Sequence, residues 1–235
     1  MPEDEIRAKT AAAHAAVERV RPGMRLALGT GSTAAEAVRA LADRFGGTAI
    51  DCVASSRATE ALARSLGMAV RPLREDDAFD LMLDGADEVT PTLDLTKGRG
   101  GALLREKLLA RLSREVWILV DPSKLVGHLG ERSPIPVEVV PFARPVLARR
   151  FAYDGYQVRH REEADGRPFL TDNGNEVLDL TPGKPIEDPG ATAAALRAPT
   201  GVVETGIFVG LATRVWVGHP DGRVDELTTA RPNRT

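Results

Sequence analysis

Short, continuously apolar runs alternate with helical stretches through the first half of the chain, and that alternation narrows the fold more than any other feature. Ile6 to Val20 reads as an alanine-rich helix stopped by Arg21-Pro22-Gly23, with a strand over Met24 to Leu28 and a helix over Thr33 to Phe45. Thr48 to Ala54 reads as strand, and Arg57 to Leu66 as a helix with Gly67 as its stop. Met68 to Val70, Phe79 to Leu83 and Val116 to Val120 are further apolar strands, the last two separated by a helix over Ala102 to Leu112. Strands that are apolar along their whole length are buried on both faces. The pattern therefore predicts an α/β fold, a Rossmann-like and largely parallel sheet with helices on both faces.

The period changes after about Gly130. Pro136 to Phe142 reads as strand, Pro145 to Tyr153 as helix and Gln157 to Arg161 as strand. Phe169 to Leu180 follows, interrupted by the turn residues Asp172-Asn173-Gly174-Asn175, then a helix at Ala191 to Leu196 and a strand at Gly201 to Phe208. The order βαββαβ predicts a smaller α+β domain of ferredoxin-like type. The last strand, Arg214 to Val217, is read as returning to the first domain. The expected division is an α/β catalytic domain over 1–130 with 209–235, and a second domain over 131–208.

A formal charge of -3 and a pI near 5.9, with basic residues scattered, give no general attraction to nucleic acid or to an anionic membrane. Cys52 is the only cysteine, which rules out an intrachain disulfide and a cysteine-based metal cluster. The polar stretch Met1 to Ala11 is unlike a signal peptide, and no apolar run reaches the ~20 residues that span a bilayer. These features lead us to expect a cytoplasmic protein.

Four segments carry candidate chemistry, each placed after a predicted strand of the first domain. Gly29-Thr30-Gly31-Ser32-Thr33-Ala34 joins a strand to a helix; glycines permit close backbone approach, and amides at a helix start attract an anion such as a terminal phosphate. The plain alternative is a tight turn with Ser32 or Thr33 capping the helix. Asp84-Gly85-Ala86-Asp87-Glu88 places carboxylates at a strand end, where they suit sugar hydroxyls or a divalent metal, or form a solvated acidic loop. Lys97-Gly98-Arg99-Gly100-Gly101 makes a backbone concavity beside two cations, fit for an anion or a developing oxyanion. Asp121-Pro122-Ser123-Lys124 adds a lysine. Glu106, set opposite a stripe of Leu103, Leu104, Leu108 and Leu112, reads by pattern alone as a solvated charge. His14, His128, His160 and His219 are dispersed, and Trp117 and Trp216 read as core.

The first segment also fits a dinucleotide fingerprint, Gly29-x-Gly31-x-x-Ala34, with Asp51 near the position of its ribose-binding acid. That acid belongs at the end of the second strand, whereas Cys52-Val53-Ala54 continue beyond Asp51. An NAD-dependent oxidoreductase is thus a poor fit.

In combination the segments resemble the ribose-5-phosphate isomerase A family. The matching runs are Gly29 to Ala34, Asp84 to Glu88 and Lys97-Gly-x-Gly-Gly-Ala-Leu-x-Arg-Glu106-Lys107. Further matches are Ser55 to Glu60, Pro136 to Pro141, Thr171 to Asn175 and Gly201 to Gly206, in the family's order and spacing. The resemblance implies aldose–ketose isomerisation of ribose 5-phosphate and ribulose 5-phosphate through an enediol, with no metal or organic cofactor. By motif, Glu106 would be the general base, and Thr30, Gly31, Ser32 and Thr33 would bind substrate at the first turn. Asp84, Asp87, Lys97 and Lys124 would hold sugar hydroxyls and reactive oxygens, with Gly85, Ala86, Gly98, Arg99 and Gly100 completing the binding loops. Arg99 stands where the family often has glycine and adds a cation. The family's first helix often supplies a phosphate-binding lysine; Lys9 is the only lysine there, and with its register fixed only to about one residue it stays outside the expected site. The resemblance also implies a homodimer or a dimer of dimers. A non-catalytic sugar-phosphate sensor is the alternative from a different class.

Overall fold

A computed structural model describes residues 3–46 and 50–228. The expected strand start at Thr48 therefore lies outside the described residues. In chain order the first elements are α1 (Glu3–Val17), β1 (Arg25–Leu28), α2 (Ser32–Phe45), β2 (Asp51–Ala54), α3 (Arg57–Ser65) and β3 (Phe79–Gly85). Two-residue strands β4 (Glu88–Val89) and β5 (Leu95–Thr96) precede α4 (Leu103–Leu112) and β6 (Ser113–Val120). The elements β7 (Ile135–Val139), α5 (Arg144–Tyr153), β8 (Tyr156–His160), β9 (Glu176–Pro182), α6 (Pro189–Arg197) and β10 (Val202–Thr205) follow. The chain ends with β11 (Ile207–Phe208), β12 (Arg214–Gly218) and β13 (Val224–Thr228). Among the described residues no helix is long and apolar enough to cross a membrane.

Two compact units result, one of 1–86, 105–125 and 210–235, the other of 87–104 and 126–209. The division expected from sequence keeps 87–104, 126–130 and 209 with the first unit; compactness groups them with the second.

The first unit is built on a six-stranded sheet of order β13-β12-β6-β3-β1-β2. All neighbours are parallel except the edge pair β12 and β13. Strand apolarity explains the parallel core. Leu26, Leu28, Leu81, Leu83, Trp117 and Leu119 pack with Ala12, Ala16, Ala37, Val38 and Leu41 of α1 and α2. The alternate residues Ala27, Met82, Ile118, Val215 and Val217 are equally buried, so both faces are covered. Trp117 and Trp216 are core as expected, their rings 5.7 Å apart. From β1 the chain passes outward to β2, then crosses back to β3 on the other side. The topological switch point therefore lies between the carboxyl ends of β1 and β3, where open α/β sheets bind ligands.

The second unit contains an antiparallel sheet of order β10-β7-β9-β8, the ferredoxin-like arrangement expected. Ile135, Val137, Val139, Leu178 and Leu180 pack with Leu147 and Phe151 of α5 and Leu196 of α6. A further sheet, β11-β5-β4, had no counterpart in the sequence reading.

Several expected strands are shorter than read. Pro136 to Phe142 ends at Val139, because Pro141 has no amide to donate and starts a 3₁₀ turn. Met68 to Val70 contributes one bridge, Val70 to Cys52. Only the part of Phe169 to Leu180 from Glu176 onward is strand. Gly201 to Phe208 divides at Gly206, which donates to the Pro136 carbonyl at 2.7 Å and accepts from the Lys97 amide at 2.8 Å. The chain thus leaves one sheet there and enters another.

Candidate active site

The Gly29–Thr33 loop closes directly against the end of β3. Asp84 is fully buried; its Oδ1 accepts from the amides of Gly85 at 2.8 Å and Thr30 at 3.2 Å. A Cβ on Gly29 would lie 2.0 Å from the Asp84 carboxyl carbon, so only glycine allows this approach. The Thr30 hydroxyl meets Ser55 Oγ at 2.7 Å and Ser56 Oγ at 2.8 Å. Thr59 Oγ1 in turn donates to the Gly29 carbonyl at 2.8 Å. Ser56 is also the N-cap of α3, accepting from the Thr59 amide. The loops after β1, β2 and β3 are therefore tied together by hydroxyls and one carboxylate. Sequence reading passed over Ser55, Ser56 and Thr59 as site supports; the Ser-x-x-Thr start of α3 was the available signal.

Helix α2 begins without a side-chain cap. Gly31, at φ 114°, occupies the cap position, and neither Ser32 nor Thr33 caps the helix, contrary to the plain alternative above. The first-turn amides, together with the positive end of a 14-residue helix, form a site suited to an anion. Thr33 is buried and packs on Gly85, whereas Gly31 and Ser32 are exposed and Thr30 half-buried. Lys9, left out of the expected site, is 4% exposed and donates from Nζ to Ser32 Oγ at 2.9 Å. Its burial explains why composition did not reveal it: one cation in an alanine-rich helix reads as solvated.

Asp121 closes the end of β6 by accepting from the Ser123 amide at 2.9 Å, which starts the 3₁₀ turn carrying half-buried Lys124. Glu5 of α1 senses this edge. Its carboxyl is held below the ordinary value, chiefly by the Lys9 hydrogen bond, with Lys124 adding to the effect and Asp121 opposing it.

Glu106 corrects the sequence pattern. It is 2% exposed, not solvated, while Leu108 of the supposed apolar stripe is 45% exposed. Asp51 is corrected too. It opens β2 rather than sitting mid-strand, at the edge away from the Gly29 loop, and pairs with Arg71 at 2.7 Å. No ribose-binding role for it remains.

Half-buried Ala86 follows the acidic strand end in the first unit. In the second unit, Asp87 Oδ2 accepts from the Arg99 amide at 3.1 Å. Glu88 is fully buried and accepts from Thr96 Oγ1, and from the amides of Gly130, Arg132 and Ser133 at 2.6 to 2.8 Å. It is a structural anchor rather than part of a solvated loop. Lys97, 3% exposed, follows β5 of the small sheet rather than a strand of the six-stranded sheet. Its Nζ lies 5.7 Å from the centre of the Phe208 ring. The Gly98 and Arg99 carbonyls both accept from Arg161 Nη1 at 2.9 Å, and the Arg161 guanidinium pairs with Asp179. Arg99 and Gly100 are themselves exposed.

An uncapped helix start beside a buried lysine, at the switch point of a parallel sheet, puts the chain among the doubly wound α/β proteins that receive anionic ligands outside their strand ends. Residues 51–222 match the family model of ribose 5-phosphate isomerase A (phosphoriboisomerase A). Ribose-5-phosphate isomerase A of Chloroflexus aurantiacus is 51% identical over 94% of this chain and 93% of that protein. The Synechococcus protein of the same name is 46% identical over 91% and 94%. Among solved structures, ribose 5-phosphate isomerase A of Methanocaldococcus jannaschii superposes with a TM-score of 0.87 at 38% identity, covering 94% of this chain and 98% of that one. A D-ribose-5-phosphate isomerase in complex with phospho-erythronic acid gives 0.89 at 35% identity, covering 94% and 97%. The chain belongs to the ribose 5-phosphate isomerase A family.

Proposed function

We propose that this protein interconverts ribose 5-phosphate and ribulose 5-phosphate, with Glu106 as general base. The burial of Glu106 on a helix whose pattern would otherwise expose it carries the reading: a carboxylate kept from water acts on a carbon acid without solvent competing for it. Glu106 takes the proton from C2 of the open-chain aldose, giving an enediol whose lifetime lets the carboxyl proton exchange with solvent, and then protonates C1, while the hydroxyl proton passes from O2 to O1. Lys97 and Lys124 stabilise the enediolate oxygens, and Asp84 and Asp87 hold sugar hydroxyls. The phosphate goes to the Thr30–Thr33 turn and Lys9. The relative bound to phospho-erythronic acid supports this, since that compound carries a planar carboxylate on a phosphorylated polyol, the shape of an enediolate.

A cytoplasmic location and assembly as a homodimer or dimer of dimers belong to the same reading. Phe142 in the turn before α5, and Val146 and Tyr153 on it, exposed by 95%, 74% and 90%, support the covering of that surface in an assembly.

Conversion in deuterium oxide tests the chemistry. The proposal expects solvent deuterium at C1 of the ribulose 5-phosphate formed. Turnover with no incorporation would argue for a hydride shift, and folded protein without turnover would favour the sensor.

A further inference from the structure

Glu5 occupies one side of the lysine that an incoming phosphate needs. Lys9 Nζ lies 2.5 Å from Glu5 Oε1, one helical turn earlier, and 2.9 Å from Ser32 Oγ at the start of α2. The lysine side chain is 5% exposed, whereas that of Glu5 is 32% exposed. A buried ammonium requires a counter-charge, and within the chain Glu5 provides one. A phosphate arriving at the uncapped start of α2 brings a second anion to the same ammonium. Two anions there repel, and Glu5, whose side chain is already partly exposed, can turn to solvent while the helix start holds the phosphate.

We propose that Glu5 is an internal competitor for the substrate phosphate, holding Lys9 until the phosphate displaces it and thereby setting the affinity for phosphorylated substrate. The inference rests on the reading that Lys9 serves the phosphate. The lowered protonation tendency of Glu5, caused first by Lys9, agrees with a carboxylate that stays charged in this role. Ser32 holds the lysine from the other side, so Lys9 keeps its place at the helix start when Glu5 turns away.

The test compares Glu5→Gln and Lys9→Met with wild type, reading KM for ribose 5-phosphate and the inhibition constant of inorganic phosphate. Glu5→Gln is expected to lower both by about 3- to 10-fold at low ionic strength, an effect that shrinks as salt rises. Lys9→Met is expected to raise both. If Lys9→Met leaves both constants unchanged, the phosphate role of Lys9 fails, and the inference with it. If Lys9→Met raises them but Glu5→Gln leaves them unchanged or raises them too, Glu5 only positions Lys9 and the competitor role is overturned. Phosphate-induced shifts in melting temperature provide a second readout: Glu5→Gln should gain more from phosphate than wild type does.

Discussion

Leu103, Glu106, Lys107 and Ala110 recur at the three- and four-residue spacing of one helix face, and all four are buried. Such a face is ordinarily apolar; here two of its positions carry charge. The leucines that suggested a different inward stripe were therefore misleading, and only the motif around Glu106 pointed to its importance. Gly29 and Asp84 form the complementary case. Their types were conspicuous, but their contact joins the ends of β1 and β3 across two helices and a strand, which no local pattern reveals. Away from the site, Arg71 binds Asp51 and Asp77 together, and its hydrogen bond holds the Asp77 carboxyl down at about 2 from an ordinary 3.8. The folded protein thus binds that proton less tightly than the unfolded chain does. The resulting stabilisation is complete above about pH 4 and is lost as pH falls towards about 2. Denaturant titrations across that range should show a shallower acid decline in Asp77→Asn than in wild type. Superimposable declines would mean that the Arg71 pair does not form in solution.

Among the elements, β1, β3 and β6 were legible because a strand buried on both faces carries an apolar run through its centre, Leu26 to Leu28, Leu81 to Leu83 and Val116 to Val120. Strand β13 was not, since Asp225, Glu226 and Thr228 leave it polar at the sheet edge. Strands β4 and β5 are two residues each; among the described residues β4 pairs only with β5, and β5 also with β11, more than a hundred residues away in sequence. That is why Lys97 was assigned to the wrong sheet. Glu88 shows what holds this small element: one carboxylate satisfies Thr96 and three amides of the 130–133 turn. Glu88→Ala leaves those donors unmet and should cost about 3 kcal/mol or more in urea denaturation. A loss below about 1 kcal/mol would show that water replaces the carboxylate at little cost.

For the whole molecule, two fold patterns were readable from period alone, an alternating one before residue 130 and a βαββαβ one after it. Their boundary was less readable, because 87–104 and 126–209 form one compact unit although the first segment continues the βα rhythm. The sequence match to isomerase relatives runs through both units, and the proposed chemistry converges on one side chain. The most direct measurement is the rate of ribose 5-phosphate conversion by wild type and by Glu106→Gln, both in excess chelator. The account predicts that wild-type turnover survives the chelator, and that kcat of the variant falls by about a thousandfold while its melting temperature stays near wild type. A folded Glu106→Gln protein with near wild-type kcat would contradict it.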